Sequence, residues 1–182
     1  MALKATVFKA ELQVSDLDRS YYATHSLTLA RHPSETDERM MVRLLAYALN
    51  ADEALAFAGD VSAQDEPSLW IRDLTGAIRL WVEVGLPDPK QLRKAAGRSS
   101  AVTVYAYGRG ADLWWADAAG TCAQVEALSV WKLSQATSQA MAAMARRSMQ
   151  LHCLVQDGDI TFSDEASSVV VERMPLKVPG AR

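Results

Sequence analysis

The chain has 182 residues, 49% of them hydrophobic and 23% charged, a balance typical of one globular domain with a substantial core. No apolar run approaches the roughly 20 residues of a membrane-spanning helix, and the N-terminus lacks an apolar signal core. We therefore expect a single domain over residues 1–182, located in the cytoplasm and without a membrane partner. The net charge of −3, with scattered Lys and Arg, argues against a protein that grips a long duplex. Cys122 and Cys153 lack partners at zinc-ligand spacing.

The N-terminal region predicts a hairpin followed by a helix. Apolar and polar residues alternate in "ATVFKAELQVSD" and "YYATHSLTLARH", with "SDLDRS" as the turn between them. The stretch "HPSETDERMMVRLLAYALNADEAL" has helical periodicity, with Ser34 as the predicted N-cap and Asp37 three residues later, as in a capping box. The following "ADEALAFAGD" either ends the helix or begins a short strand.

The central region predicts a second hairpin, a helix and a parallel strand. "SLWIRD" and "IRLWVEVG" form the hairpin around a turn at "LTGA". Asp88 caps the helix, Pro89 takes its first position, and Gly97 is the predicted terminator. Because one helix connects "IRLWVEVG" to the strand "SAVTVYAYG", those two strands should be parallel.

The C-terminal region predicts five further strands and one helix. "ADLWWAD" and "ALSVWKL" are interpreted as short strands, and "SQATSQAMAAMARRSM" as an Ala-rich helix. "QLHCLVQDGDITFSD" predicts a hairpin that turns at Asp157 and Gly158, and "SSVVVERMPL" a closing strand. The predicted fold class is therefore α/β, with a mixed central sheet flanked by helices.

A carboxylate interrupts the second strand of the central hairpin. The less apolar face of that strand carries Arg79, Trp81, Glu83 and Gly85. An ionised carboxylate withdrawn from water costs several kcal/mol unless it is paired, hydrogen-bonded or bound to a metal. Two explanations stay open for Glu83: a charge on a solvated or edge strand, or a functional site.

Three other residues are candidates for the same site. Glu66 stands just before the partner strand, Glu38 heads the apolar stripe of the long helix, and Lys94 lies on the helix after Glu83. Each has a plainer alternative: an acidic loop, a carboxylate at a helix N-terminus, and a solvated helix face. His32 is a candidate general base or phosphate contact, or else a histidine that bonds backbone at a helix entrance.

The order of these elements and acids resembles the core of the PD-(D/E)XK nuclease superfamily. In that superfamily carboxylates hold one or two Mg²⁺ ions and a lysine helps to orient the attacking water. The resemblance implies a restriction-endonuclease-like αβββαβ core with added N- and C-terminal strands. It also implies a catalytic set of Glu38, Glu66, Glu83 and Lys94, with Glu66 and Glu83 as ligands of Mg²⁺, for which Mn²⁺ can substitute.

Longer stretches of the sequence carry a resemblance to a more specific family. "SLTLARHPSETDERMMVRLLA", "EPSLWIRD", "LWVEVGLPD" and "LSVWKL", together with "QDGDI", resemble the bacterial YaeQ family over essentially the whole chain. The chain departs from the superfamily pattern twice, with Ser68 where that pattern has Asp and Gly85 where it has Lys. Glu66 and Lys94 are candidate replacements.

Two functions remain open at this stage. One is a metal-dependent nuclease or related phosphodiesterase that takes short or flexible nucleic acid into a small local cleft. The other is an inactive protein of the same fold that binds nucleic acid or a protein partner.

Overall fold

The protein folds into two compact units in the structure, a computed structural model that describes residues 4–59 and 65–180. The first unit includes residues 4–51 and 136–172, and the second includes residues 52–59, 65–135 and 173–180. In the described part of the chain, no helix is long and apolar enough to cross a membrane. The prediction of one domain over residues 1–182 stays a prediction.

Four helices and eleven strands make up these units in the described residues. In chain order they are β1 Thr6–Asp16, β2 Tyr21–Arg31, α1 Asp37–Leu49, β3 Leu55–Phe57, β4 Leu69–Arg72, β5 Ile78–Val84, α2 Pro89–Arg98, β6 Val102–Ala106, α3 Ala111–Cys122, β7 Leu128–Leu133, α4 Gln135–Ala142, β8 Ser148–Gln156, β9 Asp159–Ser163, β10 Ser168–Val170 and β11 Arg173–Lys177.

The first unit is built on a five-stranded sheet with the order β10-β9-β8-β1-β2. The predicted hairpin of β1 and β2 is confirmed, as is the hairpin of β8 and β9. Asp157 and Gly158 form the second turn with φ of 53° and 82°, the positive values that a tight hairpin turn needs. β1 also pairs with β8 in parallel, which joins the two ends of the chain and makes the sheet mixed.

Helix α1 belongs to the first unit, and most of its residues are buried. Its N-cap is Thr36, whose side-chain oxygen accepts the backbone N–H of Arg39. The predicted cap at Ser34 was therefore wrong. Ser34 instead places its hydroxyl 2.6 Å from Nδ1 of His32.

The second unit is built on a six-stranded sheet with the order β11-β7-β6-β5-β4-β3. The predicted hairpin of β4 and β5 is confirmed, and so is the parallel pairing of β5 with β6, in which Glu83 lies opposite Val104. Buried residues of α2 and α3 pack with one face of β5, β6 and β7. A parallel strand pair joined by a helix places that helix on one face of the sheet, so α2 covers part of the face that carries Glu83.

Three local predictions were wrong. The stretch "ADLWWAD" begins helix α3, because its buried residues Ala111, Ala118 and Cys122 recur at helical spacing that the paired tryptophans obscured. The predicted closing strand divides into β10 and β11, which join different sheets. Gly97 lies within α2, which continues to Arg98.

The fold is thus mixed α/β with two mixed sheets in place of the single central sheet that was predicted. The pattern of each strand was readable, but the parallel pairing of β1 with β8 depends on residues far apart in sequence. The predicted succession of helix, three strands, helix and strand corresponds to α1, β3, β4, β5, α2 and β6. Its first helix belongs to the first unit and its other five elements belong to the second.

Candidate functional site

A pocket of about 340 Å³ lies between strand β5 and helix α2 in the second unit, and we call it the β5–α2 pocket. Both elements approach the pocket because β5 runs directly into α2 through a short loop. Its polar and aromatic lining consists of Asp65, Trp81, Glu83, Gln91, Lys94 and Arg98. Two of the predicted site residues, Glu83 and Lys94, therefore line one pocket.

Glu83 is half-buried on β5 and is held by its neighbour on the same face. The indole Nε1 of Trp81 donates a hydrogen bond to Oε1 of Glu83 over 2.8 Å. Trp81 is itself buried in the core beneath α2. A charge-assisted hydrogen bond of this kind offsets part of the cost of withdrawing the carboxylate from water. The carboxylate is thus fixed in position at the pocket wall.

Helix α2 presents the cations of the pocket. The side chain of Asp88 accepts the backbone N–H of Lys90 and so caps the helix as predicted. Lys94 and Arg98 are one turn apart on the helix and share a face that lines the pocket, whereas Lys90 is not part of the lining. The sequence alone favoured Lys94 because it lies beside the residues that pack on the sheet.

The backbone conformation at position 85 favours glycine. Its φ is +108°, a backbone conformation that residues with a side chain rarely adopt. The space around a Cβ at this position is open, so the restriction is conformational rather than steric crowding by neighbours. A lysine here would strain the turn that leads from β5 towards α2. Lys94 supplies an ammonium group to the pocket from the helix instead.

Arg98 and Asp65 are pocket residues that sequence reasoning missed. The guanidinium of Arg98 lies 5.3 Å from the ring centroid of Trp81, and its Nη1 donates to the backbone carbonyl of Asp65 over 3.1 Å. The four-residue spacing from Lys94 to Arg98 was a signal that could have found Arg98. Asp65 had no comparable signal, because it lies in a loop next to the predicted Glu66.

Glu66 and Glu38, the other two predicted acids, each accept a hydrogen bond. Oε2 of Glu66 accepts the backbone N–H of Gly59 over 3.2 Å, and Glu66 is not part of the pocket lining. Glu38 belongs to the first unit, where its Oε1 accepts the hydroxyl of Ser138 over 2.7 Å. The convergence of Glu38, Glu66 and Glu83 on one cleft stays a prediction.

The surroundings of position 68 favour a small residue over a carboxylate. Ser68 is buried at the start of β4, and its backbone bonds to both neighbouring strands: its N–H donates to Val82 and its carbonyl accepts from Ala58. A carboxylate at this position would enter a buried segment between two strands, at a cost of several kcal/mol unless it were paired. An acid in the preceding loop avoids that cost.

The donor set of the β5–α2 pocket suits a hard divalent cation. Mg²⁺ prefers carboxylate oxygens and keeps several of its waters, so it needs only one or two protein carboxylates. Glu83 and Asp65 provide two carboxylates in the lining. Across residues 4–59 and 65–180 no group of three or more His, Cys, Asp or Glu side chains is arranged to hold a metal ion. Any metal here would therefore complete its coordination with water or substrate.

A family model and two curated relatives show which family the chain belongs to. The model described as YaeQ protein matches residues 1–173. The chain belongs to the YaeQ family. It is 46% identical over 180 residues to the uncharacterized protein YaeQ of Salmonella typhi, covering 98% of this chain and 99% of that one. It is 45% identical to the protein of the same description from Escherichia coli K12, with the same coverage.

Two crystal structures of YaeQ proteins are similar to this chain. The one from Xanthomonas axonopodis pv. citri is 46% identical and has a TM-score of 0.92, covering 96% of this chain and 99% of that one. The one from Pseudomonas syringae is 33% identical, also with a TM-score of 0.92, and covers 96% and 97% of the two chains. The mixed α/β fold described above is thus the fold of YaeQ proteins.

Proposed function

We propose that the protein is a divalent-metal-dependent phosphodiesterase that acts on nucleic acid at the β5–α2 pocket. The observation that carries the proposal is the presence of Glu83 and Lys94 in one pocket, one from a strand and the other from the helix that follows it. A carboxylate and an ammonium group so placed match the chemical needs of phosphodiester hydrolysis. Within the second unit, β3, β4, β5, α2 and β6 follow one another in the order that the superfamily resemblance implies for these elements, which supports the proposal.

In this proposal Glu83 and Asp65 hold Mg²⁺, or Mn²⁺ in its place. When bound, the cation would neutralise charge on the phosphate oxygens and lower the pKa of a coordinated water. The Trp81 indole fixes the Glu83 carboxylate, which reduces the freedom that metal binding would otherwise have to restrict. Glu66 lies one residue from Asp65, and its Oε2 accepts the backbone N–H of Gly59, so this bond holds the chain next to the second ligand.

Lys94 acts on the water and the phosphate in this proposal. Its ammonium group carries three donors and no acceptor, so it can orient a water molecule or bind a non-bridging phosphate oxygen. Arg98, one turn further along, provides a planar fork that suits a second phosphate contact. These two cations compensate the two carboxylates, so an anionic substrate meets a pocket without net negative charge in its lining.

A second candidate is a binding function without hydrolysis. The hydrogen bond from Trp81 to Oε1 of Glu83 favours it, because it engages one of the two oxygens that a metal could use. Lys94 and Arg98 would then bind phosphates, while Glu83 would have a structural role. The two candidates differ in whether a metal binds and whether Glu83 affects turnover.

The proposal is tested by metal binding and turnover in matched variants. Purified protein would be titrated with Mn²⁺ by calorimetry and assayed with a chromogenic phosphodiester and with labelled single-stranded and branched oligonucleotides. We expect Glu83→Gln to weaken Mn²⁺ binding and Lys94→Ala to leave it largely intact. Both should lower turnover by about 100-fold, the usual size for loss of a positioned catalytic group. Lys90→Ala removes an equal charge from the same helix outside the pocket, and we expect it to retain activity.

Two results would count against hydrolysis. Wild-type protein that binds no Mn²⁺ and cleaves none of these substrates would support the second candidate. Cleavage that survives in Glu83→Gln would assign the activity to another site or to a contaminant.

A further inference from the structure

Two arginine–tryptophan pairs lie side by side on the β4–β5 hairpin. Trp70 of β4 and Trp81 of β5 are directly opposite each other in the strand register. Arg72 lies over Trp70, with its guanidinium carbon 4.3 Å from the ring centroid, and Arg98 lies over Trp81 at 5.3 Å. Residues directly opposite in a ladder point to the same side of the sheet, so both pairs occupy one face. We call this surface the hairpin face.

Among the described residues, α2 and β6 cover the Trp81 end of the hairpin face. Trp81 is buried among residues of α2 and β6. Trp70 is half-buried and Arg72 is exposed. On the β3 side of the hairpin face, Ala56 lies opposite Trp70 and is exposed, and its side chain is only a methyl group. The face is therefore accessible from β4 towards the pocket, with α2 as its wall.

The chemistry of this face suits phosphates and unpaired bases. A guanidinium resting on an aromatic ring loses less freedom on binding, and its N–H edge can contact a phosphate in bidentate fashion. Its planar face also accepts a stacked base, as single strands require. The adjacent carboxylate of Asp73 accepts hydrogen bonds from Thr75 and from the N–H of Ala77 within its own turn, whereas Arg72 contacts the ring of Trp70.

We propose that a single-stranded nucleic acid lies across the hairpin face, with Arg72 and Arg98 on phosphates of the same strand. The strand then leads into the β5–α2 pocket, where Lys94 receives the next phosphate. A duplex stacks its bases inside and offers phosphates alone, so it would contact the cations without stacking a base on the guanidinium faces. This inference deepens the proposed function and rests on it for the events at Glu83, whereas binding to the hairpin face requires no cleavage.

The test measures binding in EDTA, where metal-dependent cleavage cannot occur. Fluorescence anisotropy would follow labelled single-stranded DNA and RNA of about 12 nucleotides, and a blunt duplex of the same length. We expect Arg72→Ala to weaken single-strand binding about fivefold and to reduce the slope of log K against log salt by about 0.7, the value for one lost phosphate contact. Arg72→Lys should restore the slope but only part of the affinity, because lysine lacks the planar fork.

The matched control is Arg173→Ala. Arg173 lies over Trp131 at 4.0 Å in the same sheet, so the variant removes the same charge and the same type of ring contact. Trp131 is opposite Tyr105, which is in turn opposite Val84, so this pair lies on the reverse face from Glu83. We expect Arg173→Ala to bind the single strand like the wild type.

The outcomes separate this inference from the proposed function. Wild-type protein that binds no single strand, binds the duplex equally well, or is weakened equally by Arg72→Ala and Arg173→Ala would overturn the hairpin-face proposal. Glu83-dependent hydrolysis of a small phosphodiester would then still support the proposed function. Conversely, Arg72-dependent binding of the single strand without any Mn²⁺-dependent hydrolysis would support the hairpin-face proposal and contradict the phosphodiesterase proposal.

Discussion

Replacing Glu35 with glutamine should destabilise the protein more than most single changes. Glu35 is buried, with 2% of its side chain exposed, and Arg43, with 5% exposed, contacts both of its oxygens. Nε of Arg43 donates to Oε1 over 2.7 Å and Nη2 donates to Oε2 over 2.8 Å. Nη1 of Arg39 donates to Oε1 over 2.8 Å. These bonds connect Glu35, which precedes α1, to Arg39 and Arg43 within the helix.

The expected loss is about 3–5 kcal/mol in the free energy of unfolding, the range for removing one partner of a buried ion pair. Burial lowers the pKa of Arg43, while the charge of Glu35 raises it. In Glu35→Gln the buried charge of Arg43 would lose the attraction of the Glu35 carboxylate, which offsets much of the cost of removing Arg43 from water. For a chain of this size each kcal/mol shifts Tm by about 2–4 °C, so Tm should fall by about 6–20 °C.

The assay is urea denaturation followed by circular dichroism, with thermal melts as a second measure. Asp37→Asn is the control, because it breaks the exposed ion pair with Arg31 and should cost less than about 1 kcal/mol. The double variant Glu35→Leu/Arg43→Met should recover much of the loss, since paired removal leaves no buried charge of Arg43. A Glu35→Gln loss below about 1 kcal/mol, or a double variant less stable than the single one, would refute this reasoning.

Three further predictions address single residues. His25 has hydroxyls of Tyr21 and Tyr47 at its two ring nitrogens, and burial lowers its pKa, so the folded state binds fewer protons than the unfolded state below about pH 6.5. Stability should therefore be greatest above that pH and decline as pH falls. His25→Gln should flatten the decline between about pH 8 and pH 5 in urea midpoints, and an unchanged profile would contradict this. Gly158→Ala should cost about 1–2 kcal/mol because φ is +82° although the space is open, and a neutral result would exclude backbone strain. Asp88→Ala should cost about 1 kcal/mol through loss of the α2 cap, measured by denaturation, whereas an equal cost in Asp88→Ser would argue against capping as the cause.

Local patterns in the sequence determined most individual elements. Alternation identified the strands of three hairpins because each side chain in a strand faces the opposite side from its neighbour. Asp88 and Pro89 marked the start of α2 because a cap side chain and a fixed φ act within one turn. The same locality explains the failures: Ser34 and Thr36 are both capable caps, and only the geometry of the helix start decides between them.

The sequence alone singled out Glu83, which lines the β5–α2 pocket, although its role in a site stays a prediction. A carboxylate in an apolar strand requires a partner, and the strand pattern placed Trp81, which proved to be that partner, on the same face. The neighbouring Lys94 followed from helix spacing. The sequence did not identify Asp65 or Arg98 as pocket residues. An acid in a loop has no periodic pattern that predicts where its side chain points. The position of the Arg98 guanidinium depends on its contact with Trp81, which only the folded chain provides.

The tertiary structure alone determined which strands pair with each other and which side chains share a face. The parallel pairing of β1 with β8 joins strands from the two ends of the chain and creates a second sheet that no local pattern encodes. The pairing of β4 with β5 also places Trp70 opposite Trp81, so the two arginine–tryptophan pairs lie on the same face of the sheet. Such contacts depend on register between separate segments, and a shift of one residue would turn every side chain to the other side. Composition and periodicity describe each strand alone, so the partner of a strand, and with it the surface that two strands share, is fixed only when the chain has folded.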